Sequence, residues 1–449
     1  MIVLKFVAPA LIGVLLIGCT GIAMHPNPSV LPALPIQNLS ATDTLRANAF
    51  FAPHAETSDL SGTLLVMKTG AASSRHYFGW ADWVRQEPHT SNTQYHAASI
   101  TKSLTAAAVI SLRRDGILSL NDPVSRWLPK FAPHPEITIE AVLRHRAGLP
   151  RDLPDDFDPA RTSVANWLTA DPSRISETGK ERYSNAGYGL IAEVLEAASG
   201  QQFAALIQDR VLTPARMNNS YIRTEARASA ENLALPYTAG PEPHGIMTPV
   251  PALEPAGAIG LVTTPDDLAI WVRGLADGSY PELFKGADPL GSVDTGSDAL
   301  GRYVSVQGAL PGYVANAIAW EDGSTVSFMG NLFSYPALDM TRRLRIFVGN
   351  DEPPEIFSRP QEVTVAESHL LLAGEHNLQG FGRVQILPNA GGPGLILTMP
   401  DRPAFWNFYL TPISGGAVHW RAFDRILTID DAGELTSEAR ADWIAQASR

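Results

Sequence analysis

Segments with the pattern of β-strands stand at both ends of a long region, and segments with the pattern of helices lie between them. "GTLLVMKT" (62–69) and "RHYFGW" (75–80) predict a β-hairpin, and "RYVSVQGALPG", "YVANAIAW" and "STVSFMGN" predict strands near the other end. Between them, residues 183–200 carry apolar side chains at helical spacing and end at Gly200. This order predicts an α/β (α+β) domain built on one mostly antiparallel sheet.

From about residue 361 the pattern changes to short alternating segments about ten residues apart. "GFGRVQIL", "PGLILTMP", "AFWNFYLTPI", "AVHWRAFD" and "RILTIDDAGELTSEA" are separated by Gly, Pro and Asn. Such spacing is typical of a small antiparallel β-barrel or sandwich. We therefore expect a second, C-terminal β-barrel-like domain over residues 358–449.

The first residues predict export from the cytoplasm. "MIVLKFVAPALIGVLLIGCTG" holds one lysine and then an apolar run too short to span a bilayer, as in a signal peptide. The run ends at Leu16-Ile17-Gly18-Cys19, which resembles a bacterial lipoprotein cleavage box, and Cys19 is the only cysteine. We expect a signal peptide over residues 1–18, lipidation of Cys19 and a Pro-rich tether over residues 19–44. The alternative is an ordinary signal peptide or membrane anchor with an incidental cysteine.

These features also define the expected location and partners. A lipid on Cys19 would anchor the protein to a membrane of the cell envelope, on the periplasmic side, and Thr20 favours the outer membrane in a Gram-negative host. The formal net charge of −12 argues against nucleic acid as a partner, because binding to phosphates needs a basic face. No grouping of His, Cys, Asp and Glu has the spacing of a metal site, so we expect no metal or other cofactor.

Ser99 and Lys102 are the first pair of side chains that could carry chemistry. "AASITKSLTAAAVISLRRDG" predicts a helix over about residues 99–114, with a stop at Gly116. Residues three apart share a helix face, so a hydroxyl and an amine lie together at a helix N-terminus, where free backbone N–H groups can hold an oxyanion. The alternative is a capping serine beside a surface lysine, but the apolar residues on both sides indicate that Lys102 is largely buried.

Tyr183 and Asn185 form a second candidate pair. A phenol and an amide two residues apart, in a loop just before a helix, can both point into a cleft. The alternative is a helix cap beside a packed aromatic ring, and a cap is the better interpretation when these residues are considered alone.

The order and flanks of these motifs resemble a known family. "SGTLLVMKTG", "TQYHAASITKSLTAAAVISLRRDGILSLNDPVSRWLP", "ITIEAVLRHRAGLP", "ERYSNAGYGLIAEVLEAASG" and "GLVTTPDDLAIW" resemble, in this order, segments of the serine β-lactamase and penicillin-binding-protein-like hydrolases. The closest branch contains class C β-lactamases, D-Ala peptidases and related carboxylesterases. The resemblance covers about residues 45–350 and implies a β-lactamase/transpeptidase-like domain with a helical subdomain over residues 45–357. It also implies that the tail is a lipocalin-like domain, since such domains occur on hydrolases of this family.

The resemblance implies roles for the two pairs. Ser99 would be the nucleophile and Lys102 its close partner, while Tyr183 would act with Lys102 as general base for acylation and would activate the water of deacylation. Asn185 would position the substrate and the lysine. Tyr and Lys have ordinary pKa values of about 10 and about 10.4, so either needs a shifted pKa to act as a base at neutral pH. Burial lowers the pKa of a lysine and a nearby ammonium lowers that of a tyrosine, so the identity of the immediate base stays open.

The family's third motif, a Lys-Thr-Gly or related triplet, belongs on the strand beside the nucleophile. Lys68-Thr69-Gly70 has the right letters, but it precedes Ser99 and lies at the tip of the predicted hairpin, where Lys and Gly are common. We therefore exclude this triplet from the site.

"RYVSVQGALPGYVAN" resembles the proper third-motif segment. Alignment on Leu310-Pro311-Gly312 places Val306-Gln307-Gly308 at the triplet. Gly308 would let the strand approach the substrate closely. The backbone N–H of Ala309 would join that of Ser99 as the oxyanion hole.

Val306 departs from the family pattern in a way that bears on the substrate. The Lys or His usual at this position is associated with the carboxylate of a β-lactam or a terminal D-Ala, and valine offers neither charge nor hydrogen bond. We therefore expect a serine hydrolase that forms an acyl-enzyme on Ser99, a carboxylesterase of small esters or amides. A class C-like β-lactamase or D-Ala-D-Ala carboxypeptidase is the first alternative, because carboxylate recognition could move to another Arg or Lys. A non-catalytic binding lipoprotein of the same fold is the second.

The remaining candidate residues are better interpreted as structural. His145 falls in "LRHRAGLP", where the family commonly has a histidine in a structural turn. The segment at 412–416, "PISGG", lacks the first glycine and the strand–helix context of a nucleophile elbow. The aromatic residues of the tail predict a packed core, with an apolar ligand pocket as the alternative; they are Phe405, Trp406, Phe408, Tyr409, Trp420 and Phe423.

Overall fold

A six-stranded sheet, the main sheet, forms the centre of the molecule. The computed structural model describes residues 59–70, 73–154, 156–224, 232–238, 245–246, 255–286, 288–334, 344–347, 360–390, 394–401 and 407–440. All neighbouring strands of the main sheet are antiparallel, which confirms the sequence prediction. In order across the sheet they are Val293–Asp298, Gly301–Leu310, Tyr313–Trp320, Thr325–Gly330, Gly62–Met67 and Ser74–Phe78. The sequence pattern missed the edge strand Val293–Asp298, because Val293 is its only fully buried residue.

The helices lie between the first two and the last four strands of the main sheet in the sequence. The α-helices there are Thr101–Arg114, Ile139–Leu143, Val164–Thr169, Asn185–Ser199, Phe203–Ile207, Thr213–Ala215, Ala256–Ile259 and Pro265–Ala276, with a π-helical turn at Gln208–Leu212. Short 3-10 helices occur at Ala98–Ile100, Val124–Arg126, Pro129–Phe131, Pro172–Arg174 and Pro281–Phe284. Small pairings also occur outside the main sheet, by Trp80–Asp82 with Glu87–Pro88, by Tyr95–His96 and Tyr221–Ile222 with Leu261–Thr263, and by Leu332–Phe333 and Gly245–Ile246 with Tyr237–Thr238.

Both faces of the main sheet are covered, so its central strands carry few exposed residues. Every residue of Tyr313–Trp320 is buried. Its alanines Ala315, Ala317 and Ala319 belong to the core on the helical side, where helix Pro265–Ala276 packs against the sheet. Small side chains on that face let the helix approach closely, while the larger alternate residues of the strand fill the core on the opposite face.

The C-terminal region forms a seven-stranded antiparallel sheet, the C-terminal sheet. Its first and last strands lie in contact, so it is nearly closed, and this confirms the predicted β-barrel-like fold. Ring centroids of Phe381, Phe408, Trp420 and Phe423 lie 4.5–5.6 Å apart, so these aromatic side chains pack as a core. Phe405 and Trp406 lie outside the described residues. The strands are Gly374–Leu378, Gly382–Pro388, Leu395–Thr398, Asn407–Pro412, Val418–Trp420, Arg425–Ile429 and Leu435–Ala439, with short helices at Glu367–Leu370 and Ser414–Gly416.

The C-terminal sheet and the main sheet share one apolar core. Phe333, in the short strand just after Thr325–Gly330, packs against Phe408 and Phe423 with ring centroids 5.7 and 6.0 Å apart. Arg421, in the turn after strand Val418–Trp420, is almost wholly buried and pairs with Asp59 just before the first strand. The two parts are therefore held together by packing and by a charge pair.

The predicted signal peptide, Cys19 and the tether lie outside the described residues. Within the described ranges, no helix combines the length and the apolar character needed to cross a membrane.

Candidate active site

Ser99 lies at the start of a buried helix, with its side chain partly open to solvent. It sits in the 3-10 turn Ala98–Ile100, which leads directly into helix Thr101–Arg114, named here the Ser99 helix. The N–H of Ala97 donates to the carbonyl of Leu261 at 2.9 Å and fixes the chain ahead of the turn. Ala98 has a φ of +48°, a region that non-glycine residues rarely adopt. This sharp turn leaves Ser99 accessible, while both its neighbours in the chain are buried.

The structure brings Ser99, Lys102 and Tyr183 together, as the sequence predicts. The Ser99 Oγ lies 2.6 Å from the Tyr183 Oη and 3.1 Å from the Lys102 Nζ. Tyr183 reaches this point because Ser184, the N-cap of helix Asn185–Ser199, accepts from the N–H of Gly187 and fixes the start of that helix. A hydroxyl that contacts both an amine and a phenol has a base beside it when the amine is neutral or the phenol is ionised.

Lys102 is fully buried and has three oxygen neighbours. Besides Ser99, its Nζ donates to the Asn185 Oδ1 at 2.7 Å and to the carbonyl of Ala258 at 3.2 Å. Burial lowers the pKa of Lys102 well below its usual value. A neutral amine has two N–H groups and one lone pair, and the two amide oxygens only accept hydrogen bonds. When both N–H groups of neutral Lys102 donate to these oxygens, its lone pair faces the Ser99 hydroxyl.

Three groups surround the Tyr183 ring. The Arg151 guanidinium carbon lies 5.1 Å from the ring centroid, the Lys102 Nζ lies 4.8 Å from it, and the His145 ring packs at 4.5 Å. Burial raises the pKa of Tyr183, although the hydrogen bond with Ser99 and the charge of Arg151 oppose this. Burial therefore favours the neutral form of both Tyr183 and Lys102.

His145 has the structural role that the sequence indicates. Its Nδ1 accepts from the N–H of Ser184 at 3.0 Å, and its Nε2 lies 3.3 Å from the Ser292 Oγ. Burial, helped by the charges of Lys102 and Arg151, lowers the pKa of His145 to about 3. The imidazole is therefore neutral near pH 7, and it holds the backbone next to Tyr183.

Gly308 lies directly against the turn that carries Ser99. A Cβ at this position would come within 2.2 Å of the Ala97 carbonyl oxygen and 3.0 Å of the Ser99 nitrogen. A two-residue turn joins strands Gly301–Leu310 and Tyr313–Trp320. In such a hairpin the pair that flanks the turn, here Leu310 and Tyr313, is hydrogen-bonded between the strands, and the next pair, Ala309 and Val314, is not. The N–H of Ala309 consequently points away from strand Tyr313–Trp320, on the side of its strand that the pairing with Val293–Asp298 leaves open beyond Val306.

Val306 lies on the same face of its strand as Gly308, two residues away. Its side chain is buried in the core on the helical side, and the residue pairs with Val293 and Ala317. Valine therefore puts neither a charge nor a polar group at the position where the resemblance expects a Lys or His.

Lys68-Thr69-Gly70 lies at the other end of the main sheet, as predicted for a hairpin turn. The triplet follows Met67, which pairs with Thr325. Gly308 pairs with Ala315, whose next neighbours across the sheet are Met329 and Thr63, four residues before Met67. The Thr69 Oγ1 donates to the carbonyl of Asp322 in the neighbouring turn. The early triplet therefore takes no part in the Ser99 site.

Sequence reasoning missed two charged neighbours of the site, Arg151 and Asp152. Asp152 accepts a hydrogen bond from the Asn185 Nδ2, and its other carboxylate oxygen lies 3.4 Å from the Arg151 Nε. The available signal was an adjacent pair of opposite charges directly after the "AGLP" turn. Among the described residues, no group of three or more His, Cys, Asp or Glu side chains could hold a metal ion.

The fold and this serine–lysine–tyrosine arrangement are those of the serine β-lactamase and penicillin-binding-protein superfamily. Residues 47–303 match the Beta-lactamase family, and the chain belongs to that family.

One curated relative supports this assignment, and two solved structures share the fold. Penicillin-binding protein 4* of Bacillus subtilis (strain 168) is 32% identical over 183 residues, which are 37% of this chain and 39% of the relative. The chain thus spans about two fifths of the length of the curated relatives it matches. The structure of SurE is similar at 21% identity with a TM-score of 0.58, and covers 89% of this chain and 97% of SurE. The D-amino acid amidase of Ochrobactrum anthropi SV3, complexed with L-phenylalanine amide, is similar at 20% identity over 65% of this chain and 92% of the amidase, with a TM-score of 0.57.

Proposed function

We propose that this protein is a carboxylesterase that forms an acyl-enzyme on Ser99 and hydrolyses small esters or amides. The observation that carries the proposal is the position of the Ser99 Oγ, within hydrogen-bond distance of both the Lys102 Nζ and the Tyr183 Oη. A binding protein without catalytic activity has no need for a buried amine whose lone pair faces a hydroxyl. The partly open position of Ser99 also supports attack on a substrate.

Acylation begins when the Ser99 Oγ attacks the ester carbonyl carbon and its proton passes to the Lys102–Tyr183 pair. The resulting oxyanion is stabilised by the backbone N–H groups of Ser99 and Ala309. The bond to the alcohol oxygen then breaks, the alcohol takes the proton from the pair, and the acyl group remains on Ser99. The lowered pKa of Lys102 supports the neutral amine as proton acceptor, with the neutral phenol of Tyr183 passing a proton to the leaving oxygen.

Deacylation uses the same groups in reverse order. A water molecule gives its proton to the Lys102–Tyr183 pair and adds to the acyl carbonyl. The bond to the Ser99 Oγ breaks, the serine oxygen regains a proton, and the carboxylic acid leaves.

An active-site probe and a chromogenic ester test this proposal directly. We expect a fluorophosphonate probe to modify the purified protein once, on the peptide that contains Ser99, because the serine is activated and accessible. We also expect turnover of p-nitrophenyl acetate and butyrate. A protein that reacts with neither the probe nor the esters would be a binding lipoprotein of the same fold, and the proposal would be wrong.

A cation at position 306 is expected to change the substrate preference. Val306→Lys should raise the hydrolysis rate of an anionic cephalosporin, relative to a neutral ester, by roughly 10–150-fold, the equivalent of one charge-assisted hydrogen bond. The ratio of the two rates, measured on the same preparation, does not depend on the folded fraction. Val304→Lys is the matched control, since Val304 lies on the same buried face but farther from Gly308. Efficient cephalosporin hydrolysis by the unmodified protein would contradict the esterase preference and favour a class C-like β-lactamase.

We also propose that a lipid on Cys19 anchors the mature protein to a membrane on the periplasmic side. The support is the Leu16-Ile17-Gly18-Cys19 box after a short apolar run, in a chain with no other cysteine. Cys19→Ser should move the protein from the membrane fraction to the soluble periplasm and abolish labelling by a clickable fatty acid. Thr20→Ser keeps the thiol of Cys19 and is the matched control. Equal membrane partitioning of Cys19→Ser and the unmodified protein would show that the anchor is not a lipid on Cys19.

A further inference from the structure

Asp152 lies behind the catalytic groups, and its hydrogen bond determines which way the Asn185 amide points. The Asn185 Nδ2 donates to Asp152, so the opposite end of the amide, Oδ1, faces the Lys102 Nζ at 2.7 Å. A carboxylate accepts hydrogen bonds and cannot donate them, so it permits only this orientation. The side chains thus form a chain of contacts from Ser99 through Lys102 and Asn185 to Asp152.

The orientation of this amide matters because of the lone pair on neutral Lys102. With Oδ1 facing it, the amine donates to Asn185 and to the Ala258 carbonyl, and the lone pair is left for the Ser99 hydroxyl. If the Asn185 amide turned over, its NH₂ group would face the Lys102 Nζ, and the lone pair of Lys102 would accept a hydrogen bond from Asn185. An N–H of Lys102 would then face Ser99, and Lys102 could not take the serine proton.

We propose that Asp152 is a positioning residue that locks the Asn185 amide and thereby keeps the lone pair of Lys102 directed at Ser99. The inference rests on the proposed acylation of Ser99 and adds a residue that acts on the serine only through Asn185 and Lys102. Arg151 holds the second oxygen of this carboxylate, with its Nε at 3.4 Å, and so limits its rotation.

A second consequence of the Asp152 charge is electrostatic. The carboxylate raises the pKa of Lys102 and so works against the larger lowering by burial. Removing the charge should lower the pKa of Lys102 further, so the neutral amine would persist to lower pH. The rate of labelling at Ser99 should therefore fall, and the acidic limb of its pH–rate profile should move to lower pH. General loosening of the fold would not produce this combination.

Asp152→Asn tests the lock, because an asparagine has nearly the same shape but accepts or donates toward Asn185 equally well. We expect the rate of fluorophosphonate labelling to fall about 10- to 100-fold, with an unchanged melting temperature and an acidic limb of the pH–rate profile at lower pH. Asp158→Asn is the matched control, since Asp158 lies in the same loop region and pairs with the exposed Arg161. It should behave like the unmodified protein.

The swapped variant Asp152→Asn with Asn185→Asp separates the lock from a purely electrostatic effect of Asp152. An aspartate at 185 can only accept, so Lys102 again has an acceptor on that side, and labelling should recover at high pH. Because the new charge lies next to Lys102, the acidic limb should move to higher pH, opposite to the single variant. If the fluorophosphonate probe modifies Asp152→Asn as fast as it modifies an active unmodified protein, with the same pH–rate profile, the inference is wrong. If the unmodified protein itself is not labelled, the proposed function is wrong and the inference falls with it.

Discussion

Ser99→Ala should abolish ester hydrolysis, with a fall in kcat of at least about 1000-fold, because the substitution removes the oxygen that carries the acyl group. The fold should be unaffected, since alanine is a good helix former and the Ser99 hydroxyl bonds to the catalytic groups Lys102 and Tyr183. The measurement is steady-state hydrolysis of p-nitrophenyl butyrate, together with labelling by a fluorophosphonate probe. Both signals should disappear together.

Ser111→Ala is the matched control for this prediction. Ser111 lies in helix Thr101–Arg114, which follows the turn that carries Ser99, so the same change of residue leaves the site intact. We expect normal turnover and labelling from this variant. Residual hydrolysis by Ser99→Ala at the level of the unmodified protein would mean that the reaction occurs elsewhere.

Gly308→Ala should cause the second largest loss. The added Cβ would lie 2.2 Å from the Ala97 carbonyl oxygen, and neither partner can yield easily, because both belong to hydrogen-bonded backbone. The strand must therefore move away from Ser99 and take the N–H of Ala309 with it. Loss of one oxyanion donor lowers kcat by about 100- to 1000-fold, and the crowding should lower the free energy of unfolding by about 1–3 kcal/mol. Rates of ester hydrolysis and urea unfolding measure the two effects.

Gly274→Ala provides the comparison for the glycine variant. Gly274 lies inside helix Pro265–Ala276, and a Cβ there would meet only the Ser279 Oγ at 3.5 Å. Since alanine is favoured over glycine in a helix by about 1 kcal/mol, this variant should be as active and at least as stable as the unmodified protein. If Gly308→Ala were equally benign, the strand would not bound the oxyanion site as described.

The sequence was sufficient for those parts of the fold that depend on local patterns. The hairpin at 62–78 and the helix ending at Gly200 follow from alternation, helical spacing and a glycine stop, and the structure has both. Strand Val293–Asp298 could not be predicted, because an edge strand with one buried residue has no apolar alternation to detect. Its pairing depends on the neighbouring strand and not on its own composition.

For the candidate site too, the sequence was sufficient only where a local pattern or the order of the motifs carried the information. Ser99 with Lys102 follows from helical spacing, and Tyr183 was reached through the order of motifs, since a Tyr-x-Asn triplet alone is better interpreted as a helix cap. Arg151 and Asp152 could not be assigned, because their relation to Asn185 arises only when the loop after Pro150 folds back onto the helix start. Contacts of this kind carry no periodic signal in a single sequence.

The position of the first hairpin in the main sheet has a consequence for how the chain acquires its structure during synthesis. Gly62–Met67 pairs on one side with its own hairpin partner and on the other with Thr325–Gly330, so its second neighbour is made last among the strands of the sheet. Until residue 330 has been synthesised, an apolar strand edge stands open and can pair with another chain. Closing a loop of this length is slow as well, because contacts between distant segments raise the contact order. We therefore expect this strand edge to be the first site at which nascent chains associate with one another.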